Sequence, residues 1–223
     1  MRKRVYGGKS NGRPKKKAKK SFAVSRPIGA NRPGRDLQTV DTLAAFGGVV
    51  TSTMLYSQVF IPTQGTGVSS RIGDRTTIKS IQGSLIASPG TAQTATTIVR
   101  VVLFWDTQPN AANPVNPMPF TTASVVSFPN TDLTYRFKIL RDFVFPVAKL
   151  LTSPEGIVTQ SNNAYMQKFY IGKCDLVSQF IASGGTIADI ATGALVVGVI
   201  SDTGLTTNNT PNISFNVRAK YQS

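Results

Sequence analysis

The first carboxylate of this chain is Asp36. Ahead of it stand thirteen bases: Arg2, Lys3, Arg4, Lys9, Arg13, Lys15, Lys16, Lys17, Lys19, Lys20, Arg26, Arg32 and Arg35. A block of like charge with few large apolar groups cannot offset the entropy lost on ordering. Only Val5, Tyr6, Phe22, Val24 and Ile28 are sizeable apolar groups there, with no sustained period, and Gly7, Gly8, Gly12, Pro14, Pro27, Gly29, Pro33 and Gly34 interrupt any helix. Residues 1–35 are therefore expected to be a disordered basic arm, and residues 36–223 the folding unit. The formal charge of the chain is +15 from 25 bases and 10 acids, so the folding unit keeps twelve bases, all ten acids and a net charge of only +2.

That unit reads as strands. Ile213, Phe215, Val217, Ala219 and Tyr221 alternate with Ser214, Asn216, Arg218 and Lys220, the period of a half-buried strand. Residues 98–105 form an apolar run broken only by Arg100, and its β-branched and aromatic content predicts a central strand; residues 195–200 repeat the pattern more briefly. Phe137, Ile139, Phe143 and Phe145 alternate on one expected apolar face, with Arg141 as an interruption that implies a bulge or an inward charge with a partner. Weaker strands are expected over 49–61, 76–87 and 165–174, with 36–48 as the entry to the body. Turn-rich linkers cover 62–74, 88–96, 106–123, 152–163 and 201–212, and 186–191 allows one helical turn. Strand follows strand with no useful helix between, which predicts an all-β antiparallel sandwich or barrel.

Several chemistries are excluded or disfavoured. The chain has no histidine, which removes imidazole bases and His triads, and its single cysteine, Cys174, has no internal disulfide partner. Cys174 is expected to pack as a small apolar group. Asp74, Asp106, Asp142, Asp175 and Asp202 fall at expected strand ends or turns, where Asp is usually a turn former rather than half of a catalytic pair. Gly65-Thr66-Gly67 lacks the helix that a phosphate loop needs. The Asn208 and Asn212 sequons read as turn residues. No enzyme activity, cofactor or metal is expected. No apolar run spans a membrane, and the charged start lacks the apolar core of a secretory signal, so synthesis in the cytosol or nucleus is expected.

The arm carries the functional signal. Pro14, Lys15, Lys16, Lys17, Lys19 and Lys20 form its densest cluster, which can neutralise phosphates with counterion release and is also similar to a nuclear import signal. A solubilising tail would share this composition. Arg2, Lys3, Arg4, Lys9 and Arg13 extend the nucleic-acid contact, and Tyr6 and Phe22 lie where they could stack on bases.

Four stretches carry a family resemblance. Arg100-Val-Val-Leu-Phe-Trp-Asp-Thr-Gln-Pro-Asn110, with the Pro-rich loop through Pro114, Pro117 and Pro119, resembles the strand and loop of capsid proteins of small circular single-stranded DNA (CRESS-DNA) viruses. Arg71-Ile-Gly-Asp-Arg75 resembles their Arg-x-Gly segment, Arg136-Phe-Lys-Ile-Leu-Arg-Asp142 their following strand, and Asn216-Val-Arg-Ala-Lys-Tyr221 their closing strand. Ala111 departs from the pattern, standing where a Gly would follow Pro109-Asn110. The resemblance implies a single eight-stranded jelly roll, similar to geminivirus and satellite-necrosis-virus coats, that assembles into an icosahedral shell of about sixty copies. It further implies a single-stranded DNA genome held by the arm, host nuclear import machinery as a partner, and residence in the virion and the host nucleus. The alternative is a cellular nucleic-acid-binding protein with a β-barrel body, in which bases and aromatics would share one exposed strand face.

Overall fold

Among the described residues, eight principal strands make two facing antiparallel sheets. The computed structural model describes residues 37–46, 52–90, 93–149, 151–152, 158–159, 164–202 and 210–223, the side chains of 151–152 and 158–159 excepted. The strands are β1 (Gln38–Phe46), β2 (Leu55–Gln58), β3 (Arg75–Ser88), β4 (Thr97–Asp106), β5 (Phe137–Val147), β6 (Leu151–Thr152), β7 (Val158–Thr159), β8 (Tyr165–Phe180), β9 (Ile190–Thr192), β10 (Ala194–Ser201) and β11 (Asn212–Gln222). One sheet has the order β1-β11-β3-β8-β9, the other β2-β10-β4-β5, and β6 pairs with β7 in a short ribbon.

Setting aside the short β6, β7 and β9, the first long strand pairs with the last, the second with the seventh, the third with the sixth and the fourth with the fifth, all antiparallel. Such a folded antiparallel ribbon, wrapped so that successive pairs alternate between sheets, is a jelly roll. The inner faces supply the core. Val99, Val101, Leu103 and Trp105 of β4 and Leu195, Val197 and Val199 of β10 face Ile78, Ile81 and Leu85 of β3 and Phe215, Val217 and Ala219 of β11, all of them buried.

The near-continuous apolar runs of β4 and β10 have a simple cause: both strands are covered on both sides. Their second side carries Arg100, Val102, Phe104 and Asp106, or Val196 and Ile200, all of them buried, and residues within 107–136 contact Arg100 and Asp106 there. The turn expected over 186–191 is a 3-10 turn at Ile187–Asp189.

Three expectations need correction. The first strand is Gln38–Phe46, inside the segment expected only as an entry, and Leu55–Gln58 is the strand found in the 49–61 region. The strand expected to end at residue 174 continues to Phe180 through a bulge at Lys173 and Asp175, both with positive φ. On β5, Arg141 pairs with Leu103 while Ile139 pairs with Phe104, so Leu140 is an extra residue. The extra residue inverts the phase of the strand. Phe143 and Phe145 face the first sheet, meeting Phe169 and Tyr165 at ring-centroid distances of 5.8 and 4.1 Å. Phe137 faces the other way and meets Phe104 at 5.7 Å under the loop. The four residues do not share one face. The interruption marks the bulge, one of the two readings anticipated of it; Arg141 itself is exposed and donates to the Tyr170 carbonyl of the facing sheet at 2.9 Å.

Candidate nucleic-acid interface

The arm residues expected to bind nucleic acid (Arg2, Lys3, Arg4, Lys9, Arg13, Lys15, Lys16, Lys17, Lys19 and Lys20, with Pro14 of the import-like cluster) lie outside the described residues. What the structure describes is the body to which they are joined, and its two outer faces differ in chemistry.

The outer face of the second sheet is closed by residues 107–136. A connection this long, with only a 3-10 turn at Thr131–Leu133 as regular structure, needs fixed anchors, and charged groups on the covered side of β4 provide them. Asp106, fully buried, accepts from Arg136 Nε and Nη2 at 3.0 Å each and from the Gln108 amide at 2.9 Å, tying the two ends of the loop together. Arg100 makes the second anchor. Its Nε and Nη2 donate to the Asp142 carboxylate at 3.0 and 2.6 Å, its Nη1 donates to the Val125 and Ser127 carbonyls, and its guanidinium lies 3.9 Å from the centre of the Phe120 ring. Bidentate Arg–carboxylate pairs hold geometry as well as charge. Arg71 acts likewise at one end of the sandwich: it is fully buried, stacks on Phe180 at 4.2 Å, and donates to the Gly73 and Ala182 carbonyls and to Asp74.

The aspartates expected only as turn formers thus do more. Asp74, Asp106, Asp142 and Asp175 are in ion pairs with Arg71, Arg136, Arg100 and Lys79, and Asp202 accepts from the Ile98 amide at 3.0 Å. Cys174 is half-buried beside the core, and burial pushes its thiol pKa up. The turn at Ala111 is also settled: Asn110 and Ala111 have φ of 51° and 58°, and the Ala112 amide donates to the Pro109 carbonyl at 3.1 Å. That is a type I′ turn with alanine in a position that favours glycine.

Residues 107–135 contain one charged group, Asp132, and no base. Their solvent side exposes Val115, Val126, Phe128 and Tyr135. Among the described residues nothing covers the outer face of the first sheet, and its chemistry is different. Register places Lys168 opposite Ser84, Tyr170 opposite Gln82, Arg218 opposite both Gln82 and Asp41, and Lys220 opposite Thr39. All of them point away from the core, because their strand neighbours Phe169, Val217 and Ala219 point into it. A shallow groove of about 370 Å³ runs here, with Gln82, Gly83 and Ser84 of β3 as its floor. Asp41 and Arg218 close its β1 end as a bidentate pair at 2.6 Å, and that hydrogen bonding lowers the Asp41 pKa. Sequence reasoning missed this face because the strand neighbours had to be known before its residues could be seen together.

No family model matches the sequence, and no curated protein matches it. Solved structures similar to this one come from viruses. The structure of Tomato aspermy virus has 14% identity over 90% of this chain and 86% of that chain, with a TM-score of 0.33. Desmodium yellow mottle tymovirus has 11% identity over 89% and 95%, with a TM-score of 0.32. The 60-mer BFDV capsid protein has 6% identity over 84% and 91%, with a TM-score of 0.29. At such TM-scores the likeness adds no weight of its own, and the jelly-roll assignment rests on the strand order of this chain.

Proposed function

We propose that the chain is a structural capsid protein that self-assembles into a small icosahedral shell and packages a single-stranded genome, with residues 1–35 as a basic arm on the nucleic acid. The reading is carried by one observation: a jelly roll whose first strand, at Gln38, is preceded by thirteen bases and no acid before Asp36. It has further support from the stretches that resemble circular single-stranded DNA virus capsid proteins. Their charged residues Arg71, Arg100, Asp106, Arg136 and Asp142 are the groups that anchor the loops of this body.

The mechanism is electrostatic condensation of a flexible polyanion, together with burial of subunit surface; no bond is made or broken. At one charge per nucleotide, the arm of each subunit covers on the order of a dozen nucleotides. About sixty copies, the number the family resemblance implies, would neutralise roughly 800 charges. Single-stranded DNA as the genome, entry into the host nucleus through the Pro14–Lys20 cluster, and residence in the virion belong to this reading. The cellular alternative pictured a β-barrel with bases and aromatics on one exposed strand face; the body is instead a sandwich of two main sheets, although Lys168 and Tyr170 do share such a face.

The test replaces Lys15, Lys16, Lys17, Lys19 and Lys20 by Ala in the full chain. Particles should still form by light scattering, with less nucleic acid per particle by absorbance and with nuclear accumulation lost. The salt slope of oligonucleotide binding should fall by about 3.5, at roughly 0.7 per phosphate contact on a single strand. Unchanged packaging would overturn the arm assignment, and a protein that stays monomeric under all assembly conditions would overturn the shell.

A further inference from the structure

We infer that the open outer face of the first sheet is a second nucleic-acid contact surface, on which one single strand lies across β3 between Lys168 and Tyr170 on one side and Arg218 and Lys220 on the other. The inference rests on the capsid reading and deepens it, since it names the body surface that meets the genome.

Three observations carry it. The first is charge. This face presents Lys168, Arg218 and Lys220 against Asp41, whereas residues 107–135 over the other sheet hold no base. Of the two outer faces, this one is the cationic one. The second is shape. β8 and β11 flank β3, so at about 4.8 Å per strand the two basic walls stand about 10 Å apart over a floor of Gln82, Gly83 and Ser84. That width suits one phosphodiester strand. Tyr170 is 62% exposed. Its ring leans over Gly172, where a Cβ on residue 172 would stand 3.0 Å from it, and its carbonyl is held by Arg141 at 2.9 Å. The result is an aromatic platform supported from beneath, suited to base stacking. The third is connectivity. The chain before Leu37 is joined directly to β1, the edge strand of this same sheet. The exposed Leu43, Ile86 and Met166 border it, so a second copy of the chain is the competing occupant.

The experiment uses the full chain, unassembled, and a fluorescent oligothymidylate of fixed length. The face variant is Lys168→Ala with Lys220→Ala; both side chains are exposed, and neither joins an ion pair among the described residues. Its salt slope should fall by about 1.4. Tyr170→Ala should weaken binding about tenfold at an unchanged slope, and Tyr170→Phe should restore it. A duplex of equal length should be indifferent to residue 170. Denaturation midpoints equal to the parent's exclude misfolding as the cause. If the five-lysine arm variant loses binding and the face variants do not, the second surface is refuted while the arm stands. If neither loses binding, the capsid reading itself fails. Impaired particle formation with unaltered oligonucleotide binding would make the face a subunit contact and overturn the inference.

Discussion

Asp106→Ala removes the group on which the long loop closes, and the structure sets the size of the loss. Three hydrogen bonds end on this carboxylate, two from Arg136 at 3.0 Å and one from the Gln108 amide at 2.9 Å. Asp106 is fully buried, and the Arg136 side chain is 18% exposed. The substitution leaves a largely desolvated guanidinium and an amide without their acceptor, and breaking such a pair from one side costs about 3–5 kcal/mol. Against a usual margin of roughly 5–15 kcal/mol this is large. At an m-value of about 2 kcal/mol/M, the urea midpoint should drop by about 1.5–2.5 M. Asp106→Asn keeps the shape and one acceptor oxygen and should lose about half as much. Trp105, the only tryptophan, adjoins the site and reports on it directly. Asp106→Leu combined with Arg136→Met should recover much of the loss, because an apolar replacement of both partners is often neutral. A midpoint for Asp106→Ala within about 0.3 M of the parent would refute the anchor and return Asp106 to a turn former.

Other perturbations follow from the same geometry. Ala111→Gly relieves a left-handed residue that costs about 1–2 kcal/mol at an entropic cost of about 0.4–1 kcal/mol, so a thermal melt should show a net gain on the order of 0.5–1 kcal/mol. Tyr221 is buried with its hydroxyl unpartnered and its pKa pushed up to about 12 by burial. An acid raised in the folded state contributes stability in full below its unfolded pKa near 10, and loses it as pH rises from there toward 12. Tyr221→Phe should be neutral or stabilising at pH 7 and should blunt the alkaline loss of stability in denaturation curves taken from pH 9 to 12. Phe128, 79% exposed on the loop, should tolerate Phe128→Asp with little change in monomer stability, while particle formation falls in light scattering.

Legibility in the sequence tracked contrast between neighbouring residues. β11 alternates large apolar with polar groups and is plain, and β4 and β10 are plain as near-continuous apolar runs. β1 has the same period at Val40, Thr42, Ala44 and Phe46, but two of these are small or polar and Leu43 points outward at 64% exposure, so the contrast vanishes. The ion pairs are another matter. Arg100 meets Asp142 across 42 residues and Asp106 meets Arg136 across 30. Pairing at such separation is set by strand register and not by local composition. A signal was present nonetheless: a charge inside an apolar run must have a partner when buried, and Arg100 in β4 is such a charge. The cationic open face was hidden for a related reason, since a net charge of +2 averages two faces that only the sheet order separates.

The β5 phase shows how much one residue can alter a pattern that looked regular. Phe137, Ile139, Phe143 and Phe145 keep odd spacing, yet the extra residue at Leu140 turns the second half of the strand over. The aromatic groups therefore serve two cores, one between the sheets and one beneath the loop. Phe143 is half-buried and meets Phe169 at 5.8 Å, while Phe169 in turn stacks on Phe215 at 5.4 Å. Phe143→Ala should cost about 3 kcal/mol, the low end for a buried Phe because part of the ring is already wet. Val144, its out-of-phase neighbour at 54% exposure, should lose no more than about 0.5 kcal/mol as Ala. Phe137→Ala should also be costly, but with a different signature: it empties the space beneath the loop, so proteolysis within 107–135 should quicken before global unfolding does. Equal denaturant midpoints for Phe143→Ala and Val144→Ala would mean that the inversion at Leu140 is absent and that β5 keeps a single phase from end to end.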